Sequence, residues 1–343
     1  MKTMQQIADE LGLARSTVSL CLSESHRNYR ISAATVQRVR DYADTVGFVP
    51  NRMAGKLGKD STHPVGLIIN QDGSFEKSAV ALSYAMNRLH ENRRDFVIQG
   101  FIGGRLIQTV RMLKGLQLKE LIMFGIFDEH RSRDEYGGVL APGDAAKLAA
   151  LLKDVHFYSV DYCFPVPPDG VKNITRMGID RLETRIALME QLRKAGKGNF
   201  MCEVSGEEEE KLVARKLIFD RRQILRQDFL ARDNFETGRR YAEMVLRDCG
   251  HLKVRTVLLN DDRIAVGMID ELQKHGVKVP DELQVIGFDN LVDDPYFKVP
   301  LTSIEVPVLD NTRLVLDHIL KGTDLPPLTV NQANIIWRDS AKL

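Results

Sequence analysis

The fold of the N-terminal region is decided by one stretch, MQQIADELGLARSTVSLCL, which covers residues 4–22. Apolar residues recur at helical spacing in its first half, and Gly12 then supplies the positive φ that a tight turn needs. A second helical pattern follows at once, and a third begins at Ser32 as N-cap and ends at Gly47. Two short helices joined by a glycine turn, with a third to close the core, predict a helix-turn-helix domain over residues 1–48. An ordinary three-helix bundle with a polar surface is the alternative.

The second of these helices turns a polar side away from the predicted core. Arginine can bond guanine in two places, serine and threonine can bond base edges or phosphates, and leucine can contact a thymine methyl group. The candidate DNA contacts on this helix are Arg15, Ser16, Thr17, Ser19 and Leu20. Between Arg15 and Lys59 there are eight basic and three acidic residues, a local net charge of +5 that suits a phosphate backbone.

A second motif, GFVPNRMAGKLG at residues 47–58, resembles the hinge of the lactose-repressor (LacI/GalR) family of bacterial regulators. The stretch IADELGLARSTVS, residues 7–19, is similar to the DNA-reading head of the same family. This resemblance implies that residues 49–60 form a short hinge helix only on operator DNA, with Leu57 inserted in the minor groove. The other expected DNA contacts of the hinge are Asn51, Arg52 and Ala54. Gly55 weakens an isolated helix by about 1 kcal/mol, which fits folding on DNA, although the composition alone equally fits a plain interdomain linker.

The head departs from the family pattern in three places. Ala14 stands where the family usually has a serine cap, which should weaken the start of the second helix by about 1 kcal/mol. Leu20 replaces a frequent arginine, so the base preference at that position should differ. The loop at residues 24–32 is longer than usual and is similar to that of the fructose and sucrose repressor branch. Its candidate DNA contacts are Arg27, Tyr29 and Arg30.

From Pro64 onward, short apolar runs alternate with helical stretches. The runs form two series, at Val65–Ile69, Phe96–Phe101, Leu121–Phe127 and His156–Val160, and then at Phe200–Val204, Thr256–Leu259 and Val285–Phe288. Continuous apolar runs with this spacing are typical of parallel strands in buried sheets. The two series predict two doubly wound α/β subdomains, with a ligand between them at the carboxyl ends of the strands.

The most specific signal in this part of the chain begins at VLLNDDRIAVG, residues 257–267, and ends at VIGFDN, residues 285–290. These motifs resemble the sensor core of the same family, although residues 74–170 match it only loosely. The resemblance implies a periplasmic-binding-protein-like α/β core over residues 61–343, joined to an all-α, lambda-repressor-like head. The expected N-subdomain covers about 63–161 and 300–324 and the expected C-subdomain about 162–292 and 325–340, with three chain crossings between them.

Five residues are candidate effector contacts: Phe75, Asp180, Arg215, Asp261 and Asp289. Asp289 ends a predicted strand, where its carboxylate can accept two hydrogen bonds from a polyol, although capping of the next turn is the alternative role. The family resemblance implies the roles of Asp261, where asparagine is common, and of Arg215, which aligns with an arginine that contacts hydroxyls or carboxylates. Phe75 can stack on a sugar ring. The acidic run at residues 207–210 suits a solvated helix N-terminus and leaves a cationic effector open.

These features predict a ligand-responsive transcriptional regulator, most simply a repressor, that binds a pseudo-palindromic double-stranded operator as a homodimer. The expected effector is a sugar, a sugar phosphate or a related metabolite. The alternative is a sugar- or nucleobase-binding protein of the same fold without a role on DNA.

Other classes of function are disfavoured by what the sequence lacks. It has no G-x-G-x-x-G, P-loop or G-x-S-x-G motif and no metal-ligand spacing, so we expect no enzyme activity, no cofactor and no metal. The four cysteines lie far apart, which favours free thiols. No apolar run approaches the roughly 20 residues that cross a bilayer, so we expect no membrane partner. Residues 1–6 carry no signal-peptide core, so we expect a bacterial cytoplasmic protein associated with the nucleoid.

Overall fold

The computed structural model describes residues 2–22, 31–49, 63–70, 75–101, 105–125, 144–161, 173–204, 206–226 and 233–343. The chain divides into two compact units. The first unit contains Met1–Met177 and Val308–Thr329, and the second contains Gly178–Pro307 and Val330–Leu343. In the described residues each unit holds a six-stranded sheet, and the N-terminal helices belong to the first unit.

The first three helices form a small all-α domain. Their bounds are α1 Met4–Leu11, α2 Arg15–Leu22 and α3 Ala33–Thr45. Gly12 ends α1 with a left-handed φ of 64°, and the Ser32 hydroxyl accepts a hydrogen bond from the Thr35 amide at the start of α3. The buried core between the helices consists of Ile7, Ala8, Val18, Cys21, Val36, Val39, Ala43 and Phe48. The predicted helix-turn-helix arrangement is confirmed, and residues 2–22 and 31–49 are called the head domain below.

The remaining elements alternate between strands and helices. The strands are β1 Val65–Asn70, β2 Phe96–Phe101, β3 Glu120–Phe124, β4 His156–Ser159, β5 Ile174–Gly178, β6 Phe200–Glu203, β7 Ile224–Leu225, β8 Thr256–Leu258, β9 Gln284–Asp289, β10 Thr302–Glu305, β11 Leu328–Val330 and β12 Asn334–Ile336. The helices are α4 Phe75–Glu91, α5 Leu106–Gly115, α6 Asp144–Leu151, α7 Arg181–Lys194, α8 Gly206–Ala214, α9 Asn234–Leu252, α10 Asp262–Lys274 and α11 Val308–Lys321. Among the helices of the described ranges, none combines the length and apolar character needed to cross a membrane.

The sheet of the first unit has the strand order β11-β5-β4-β3-β1-β2. The strands from β5 to β2 pair in parallel, in registers such as Val65↔Phe96 and Phe157↔Ile174. β1 is buried along its whole length and β3 along nearly all of it, which is why both are apolar without alternation. Side chains of α5 and α6, among them Val110 and Leu151, complete the core of this unit.

The sheet of the second unit has the order β12-β10-β9-β8-β6-β7, with parallel pairs except for the antiparallel pairing of β12 on β10. Two helices of this unit, α9 and α10, approach each other through glycines. A Cβ on Gly238 would lie 2.0 Å from the Ile264 carbonyl oxygen, and one on Gly267 would lie 2.2 Å from that of Phe235. The two helices therefore contact each other backbone to backbone.

The unit boundaries differ from the expected subdomains at each of the three crossings. β5 was expected in the C-subdomain (162–292) but pairs with β4 in the first sheet. β10 was expected in the N-subdomain (300–324) but pairs with β9 in the second sheet, and β11, expected in the C-subdomain (325–340), lies at the edge of the first. In each case the chain crosses after a strand has completed its pairing with the sheet that it leaves. Most of the expected hinge, residues 50–60, lies outside the described residues.

The cysteines of the described residues carry free thiols. Cys21 and Cys202 are buried and Cys249 is partly buried, while Cys163 lies outside the described residues. Burial raises the pKa of the Cys202 thiol to about 12, so this group stays protonated and unreactive at neutral pH.

Candidate nucleic-acid interface and effector site

The candidate DNA-reading helix is α2, which presents its polar residues to solvent. Arg15, Ser16 and Ser19 are exposed, and Thr17 and Leu20 are half-buried. Val18 and Cys21 point into the core of the head domain and are fully buried. The division of α2 into a buried apolar side and an exposed polar side agrees with the sequence prediction, and the role of the exposed side in DNA contact stays a prediction.

Two arginines of the basic N-terminal region have structural partners. Nη2 of Arg38 donates to the Leu11 carbonyl oxygen at 3.0 Å, and Nε of Arg40 donates to that of Cys21 at 3.2 Å. These carbonyls stand at the ends of α1 and α2, where an intrahelical partner is missing. Both arginines therefore help to join α3 to the other two helices.

The remaining predicted DNA contacts lie outside the described residues. They are Arg27, Tyr29 and Arg30 before α3, and Asn51, Arg52, Ala54 and Leu57 in the segment predicted to be the hinge. Their contact with DNA stays a prediction.

The predicted effector residue Asp289 ends β9 in an unusual backbone conformation. Its φ is 109°, and that of the following Asn290 is 53°. The Asp289 side chain is 3% exposed, and its Oδ1 accepts a hydrogen bond from Nη2 of Arg181 at 2.8 Å. The Arg181 guanidinium lies over the Phe288 ring, 4.2 Å from its centroid. Strained residues persist only where their surroundings hold them, and they are common at ligand sites.

Asp261, the neighbouring candidate, is the N-cap of α10. Its Oδ1 accepts from the Arg263 amide at 2.8 Å, and its Oδ2 accepts from Nδ2 of Asn234 at 2.9 Å. Burial and the nearby carboxylate of Asp289 raise the pKa of Asp261. The two aspartates therefore repel each other in one partly desolvated region at the ends of β8 and β9.

Two further carboxyl groups in this unit are buried, Asp262 and Asp294. Asp262 accepts hydrogen bonds from the Ser303 hydroxyl at 2.7 Å and from the Leu291 amide at 3.0 Å. Burial and the neighbouring Asp294 carboxylate raise the pKa of Asp262 well above its usual range, and burial raises the pKa of Asp294 to about 6. Asp262 thus joins the start of α10 to β10 and to the loop that follows β9.

Sequence reasoning missed Arg185, which is 3% exposed in α7. Its Nη1 donates to the Glu203 carbonyl oxygen at 2.7 Å and to Oδ1 of Asn260, and its Nη2 donates to Glu208 Oε1 at 2.9 Å. The sequence does contain a signal for this burial, since Arg185 is spaced to lie on the same side of α7 as the core residues Met189 and Leu192.

The carboxylate of Glu203 joins α9 to the residues after β8 in the same region. It accepts hydrogen bonds from the Tyr241 hydroxyl at 3.2 Å and from the Asn260 amide at 3.1 Å. Because β6, β8 and β9 are neighbours in the second sheet, their carboxyl ends bring Glu203, Asn260 and Asp289 to one edge. This edge therefore carries charged and amide groups that are largely removed from water.

The other predicted effector residues have different surroundings. Asp180 is exposed and caps α7 by accepting from the Glu183 amide at 2.9 Å. Arg215 is exposed in an ion pair with Glu183, 3.2 Å between Nη2 and Oε2. Phe75 begins α4, and its side chain lies outside the described part. In the acidic run, Glu208 pairs with Arg185 and Glu209 with Arg226, so neither carboxylate is simply solvated.

The donor and acceptor groups at this edge suit a polar organic ligand. Guanidinium groups donate, carboxylates and amides accept, and the Phe288 ring provides an apolar surface under Arg181. Such a set can bond hydroxyl, carbonyl or ring nitrogen atoms. In the part of the chain that the structure describes, no three histidine, cysteine or carboxylate side chains lie close enough together to hold a metal ion.

Several known proteins are similar to this chain in sequence or in fold. A family model for a periplasmic binding protein-like domain matches residues 209–341. The HTH-type transcriptional repressor PurR of Vibrio parahaemolyticus is 24% identical over 326 residues, which cover 90% of this chain and 87% of that protein. The transcriptional regulator CelR–cellobiose complex is 19% identical, covers 99% of this chain and 100% of its own, and has a TM-score of 0.60. The Lac repressor dimer bound to operator and the anti-inducer ONPF is 17% identical, covers 99% and 98%, and has a TM-score of 0.61.

The fold and these comparisons define a class of protein, with an N-terminal helix-turn-helix domain and a periplasmic-binding-protein-like core, as the sequence predicted. LacI-family transcriptional regulators are relatives of this chain in sequence and its neighbours in structure. The resemblance to the LacI/GalR family is therefore confirmed.

Proposed function

We propose that this protein is a ligand-responsive transcriptional regulator, in the simplest case a repressor, that binds a pseudo-palindromic operator as a homodimer. The observation that supports this proposal is that one chain contains both a DNA-reading candidate and a ligand-site candidate. The head domain exposes Arg15, Ser16 and Ser19 of α2, and the second sheet has a polar, largely desolvated edge around Asp289. A regulator of this kind acts in the cytoplasm, on the nucleoid.

DNA binding is assigned to the exposed side of α2, with Thr17 and Leu20 at its margin. The loop residues Arg27, Tyr29 and Arg30 and the hinge residues Asn51, Arg52, Ala54 and Leu57 complete the proposed interface. The names of the compared proteins support this assignment, since PurR is a transcriptional repressor and the Lac repressor structure is a dimer on operator. Two heads in a dimer would read half-sites in successive major grooves.

The effector is assigned to the edge of the second sheet, with Asp289 and Asp261 as acceptors and Arg181 and Arg185 as added positioning or donor groups. We propose a sugar, a sugar phosphate or a related metabolite, because hydroxyl groups match this mixture of carboxylates, amides and guanidinium groups. The CelR structure, solved with cellobiose, supports the sugar class. The ligand would change operator affinity through a coupling free energy of typically about 1–3 kcal/mol.

Two experiments on the full-length protein test the proposal. Selection from a random duplex library should yield a pseudo-palindromic sequence, and the affinity for it should fall steeply with salt because phosphate contacts release counterions. A thermal-shift panel of sugars, sugar phosphates and nucleobases should then identify a ligand that changes operator affinity. Absence of any sequence-specific duplex would refute the regulatory function, and a ligand that shifts the melting temperature without changing operator affinity would refute the allosteric part.

A further inference from the structure

The head domain ends in two consecutive residues that are buried in two different cores. Phe48 belongs to the core of the head domain, whereas Val49 belongs to the core of the α/β part of the first unit, together with Ile107 and Val110 of α5. Consecutive Cα atoms are about 3.8 Å apart across a trans peptide bond. The two cores therefore meet at this point of the chain.

A buried lysine of α5 bonds the head domain to the α/β part of the first unit. The Lys114 side chain is 5% exposed, and its Nζ donates to the carbonyl oxygens of Gly47 at 2.9 Å and Leu151 at 2.7 Å. The carboxylate of Asp154 lies 2.6 Å from the same nitrogen. Burial lowers the pKa of Lys114, and the contact with Asp154 opposes that shift. The three ammonium protons thus have three oxygen neighbours, one of which belongs to the head domain.

Two more contacts join the same surfaces. Gly47 has a φ of 64°, and a Cβ at this position would lie 2.0 Å from the Ala150 carbonyl oxygen near the end of α6. Asp44, near the end of α3, forms an ion pair with Arg111 of α5, with 2.6 Å between Oδ1 and Nη2. The head domain is therefore attached by backbone packing, a buried ammonium group and a more exposed ion pair.

These contacts leave the predicted DNA-reading side of α2 exposed. Arg15, Ser16 and Ser19 remain in solvent, and the head domain contacts the α/β part of the first unit through the C-terminal end of α3 and the residues that follow it. Attachment and DNA reading therefore use different surfaces of the same small domain.

We propose that Lys114 is a positioning residue for operator binding, which fixes the orientation of the head domain on the α/β part of the first unit through its bond to Gly47. The inference rests on the proposed function, because a fixed head matters for affinity only if the head reads DNA. In a dimer, two fixed heads define one separation and one rotation between half-sites. A preorganised pair of heads also loses less entropy on binding than two mobile ones.

The attachment is tested first without DNA, by hydrogen–deuterium exchange on the full-length protein. Lys114→Met removes the ammonium group, and Lys119→Met is the matched control, because Lys119 is 40% exposed and its Nζ lies 3.8 Å from Oδ2 of the same Asp154. We expect amides of residues 46–48 to exchange about tenfold faster in Lys114→Met and unchanged in Lys119→Met, with α1 unaffected in both. Wild-type exchange rates in Lys114→Met would overturn the proposal.

The positioning role is tested with the selected operator and variants that have one base pair added or removed between half-sites. Wild type should bind one spacing best, and we expect Lys114→Met to reduce the preference for it about tenfold. A merely structural lysine would lower affinity for all spacings alike, and that result would overturn the positioning role. If wild type binds no specific duplex, the proposed function fails, whereas an unchanged spacing preference in Lys114→Met defeats only this inference.

Arg111→Gln provides a second variant in case Lys114→Met does not fold. Arg111 is 35% exposed, so its loss breaks the ion pair with Asp44 without leaving a deeply buried charge unpaired. We expect faster exchange at residues 44–48 and a weaker spacing preference, both smaller than for Lys114→Met. Identical behaviour of Arg111→Gln and wild type in both measurements would contradict the proposal.

Discussion

Arg181 and Asp289 form an ion pair, 2.8 Å between Nη2 and Oδ1, in which the arginine also covers the ring of the residue before Asp289. The aspartate has a left-handed φ of 109°, a conformation that its bonded surroundings must hold. A ligand that bonds to Asp289 must share the carboxylate with Arg181 or displace it. Ligand binding and the geometry at the end of β9 are therefore coupled.

Asp289→Asn should weaken effector binding, because the amide keeps the shape but loses the charge that holds Arg181. We expect the ligand-induced rise in melting temperature to disappear at ligand concentrations that saturate wild type, which corresponds to at least about a tenfold loss of affinity. Asp220→Asn is a matched control, since Asp220 forms a comparable ion pair with Arg222 at 2.7 Å but is more exposed. A full thermal shift in Asp289→Asn would remove Asp289 from the site.

Leu57→Ala should weaken specific operator binding and leave effector affinity unchanged. Truncation removes the side chain expected to insert between base pairs, and we expect a loss of about 1–3 kcal/mol, measured by gel-shift titration. Val213→Ala, a truncation at a half-exposed position of α8, controls for a general effect of losing apolar surface. Operator affinity equal to wild type in Leu57→Ala would refute the hinge assignment.

Stability should decrease as the pH rises through the titration of Asp294. Burial raises the pKa of this group from 3.8 to about 6 in the folded state, so folding favours the protonated form. That stabilisation is fully present below the unfolded pKa and is lost as the pH rises through the folded pKa. We expect the free energy of unfolding in urea to fall by about 2 kcal/mol between pH 4.5 and 8.

Asp294→Asn should reduce this slope, because an amide does not titrate and because Asp262, whose pKa is also raised, loses the neighbouring carboxylate that helps to raise it. Asp270→Asn is the control, since the Asp270 pKa is lowered by its hydrogen bond with Lys274 and lies outside this pH window. An unchanged slope in Asp294→Asn would show that another group carries the pH dependence.

Gly287→Ala should destabilise the second unit. A Cβ at this position would lie 2.0 Å from Oδ1 of Asp262, a buried carboxylate that is fixed by Ser303 and the Leu291 amide. Overpacking of this kind costs about 1–3 kcal/mol, which thermal or urea unfolding would detect. Gly250→Ala in α9 is the matched control, because its Cβ meets nothing within 4 Å and alanine favours a helix. Equal stabilities of the two variants would contradict the packing described around Asp262.

The parts of the fold that sequence predicted well carry local signals. The turn at Gly12 and the cap at Ser32 are decided by a few neighbouring residues, and the apolar runs of β1 and β9 are too continuous for an exposed strand. β5 was missed as a strand of the first sheet because its membership depends on pairing with β4, and the sequence between the two strands gives no signal for that pairing.

The site was predicted less completely, for a related reason. Asp289 could be found because it ends a recognisable strand, whereas the burial of Arg185 depends on partners from β6, from α8 and from Asn260, which follows β8. Arginine is rarely buried without such partners, so its position in sequence suggests a surface residue. Asp180 was assigned to the ligand, although its place before α7 equally suits the N-cap role that the structure gives it.

The chain crosses between the two units three times, and this path has a consequence for how the protein folds during its synthesis. The head domain is built from neighbouring residues, so it can fold as soon as they leave the ribosome. Each sheet instead needs a late strand, β11 for the first and β10 with β12 for the second, and the pairing of β11 with β5 joins distant parts of the chain, which is slow. We therefore expect a folded head to precede its sensor on every nascent chain.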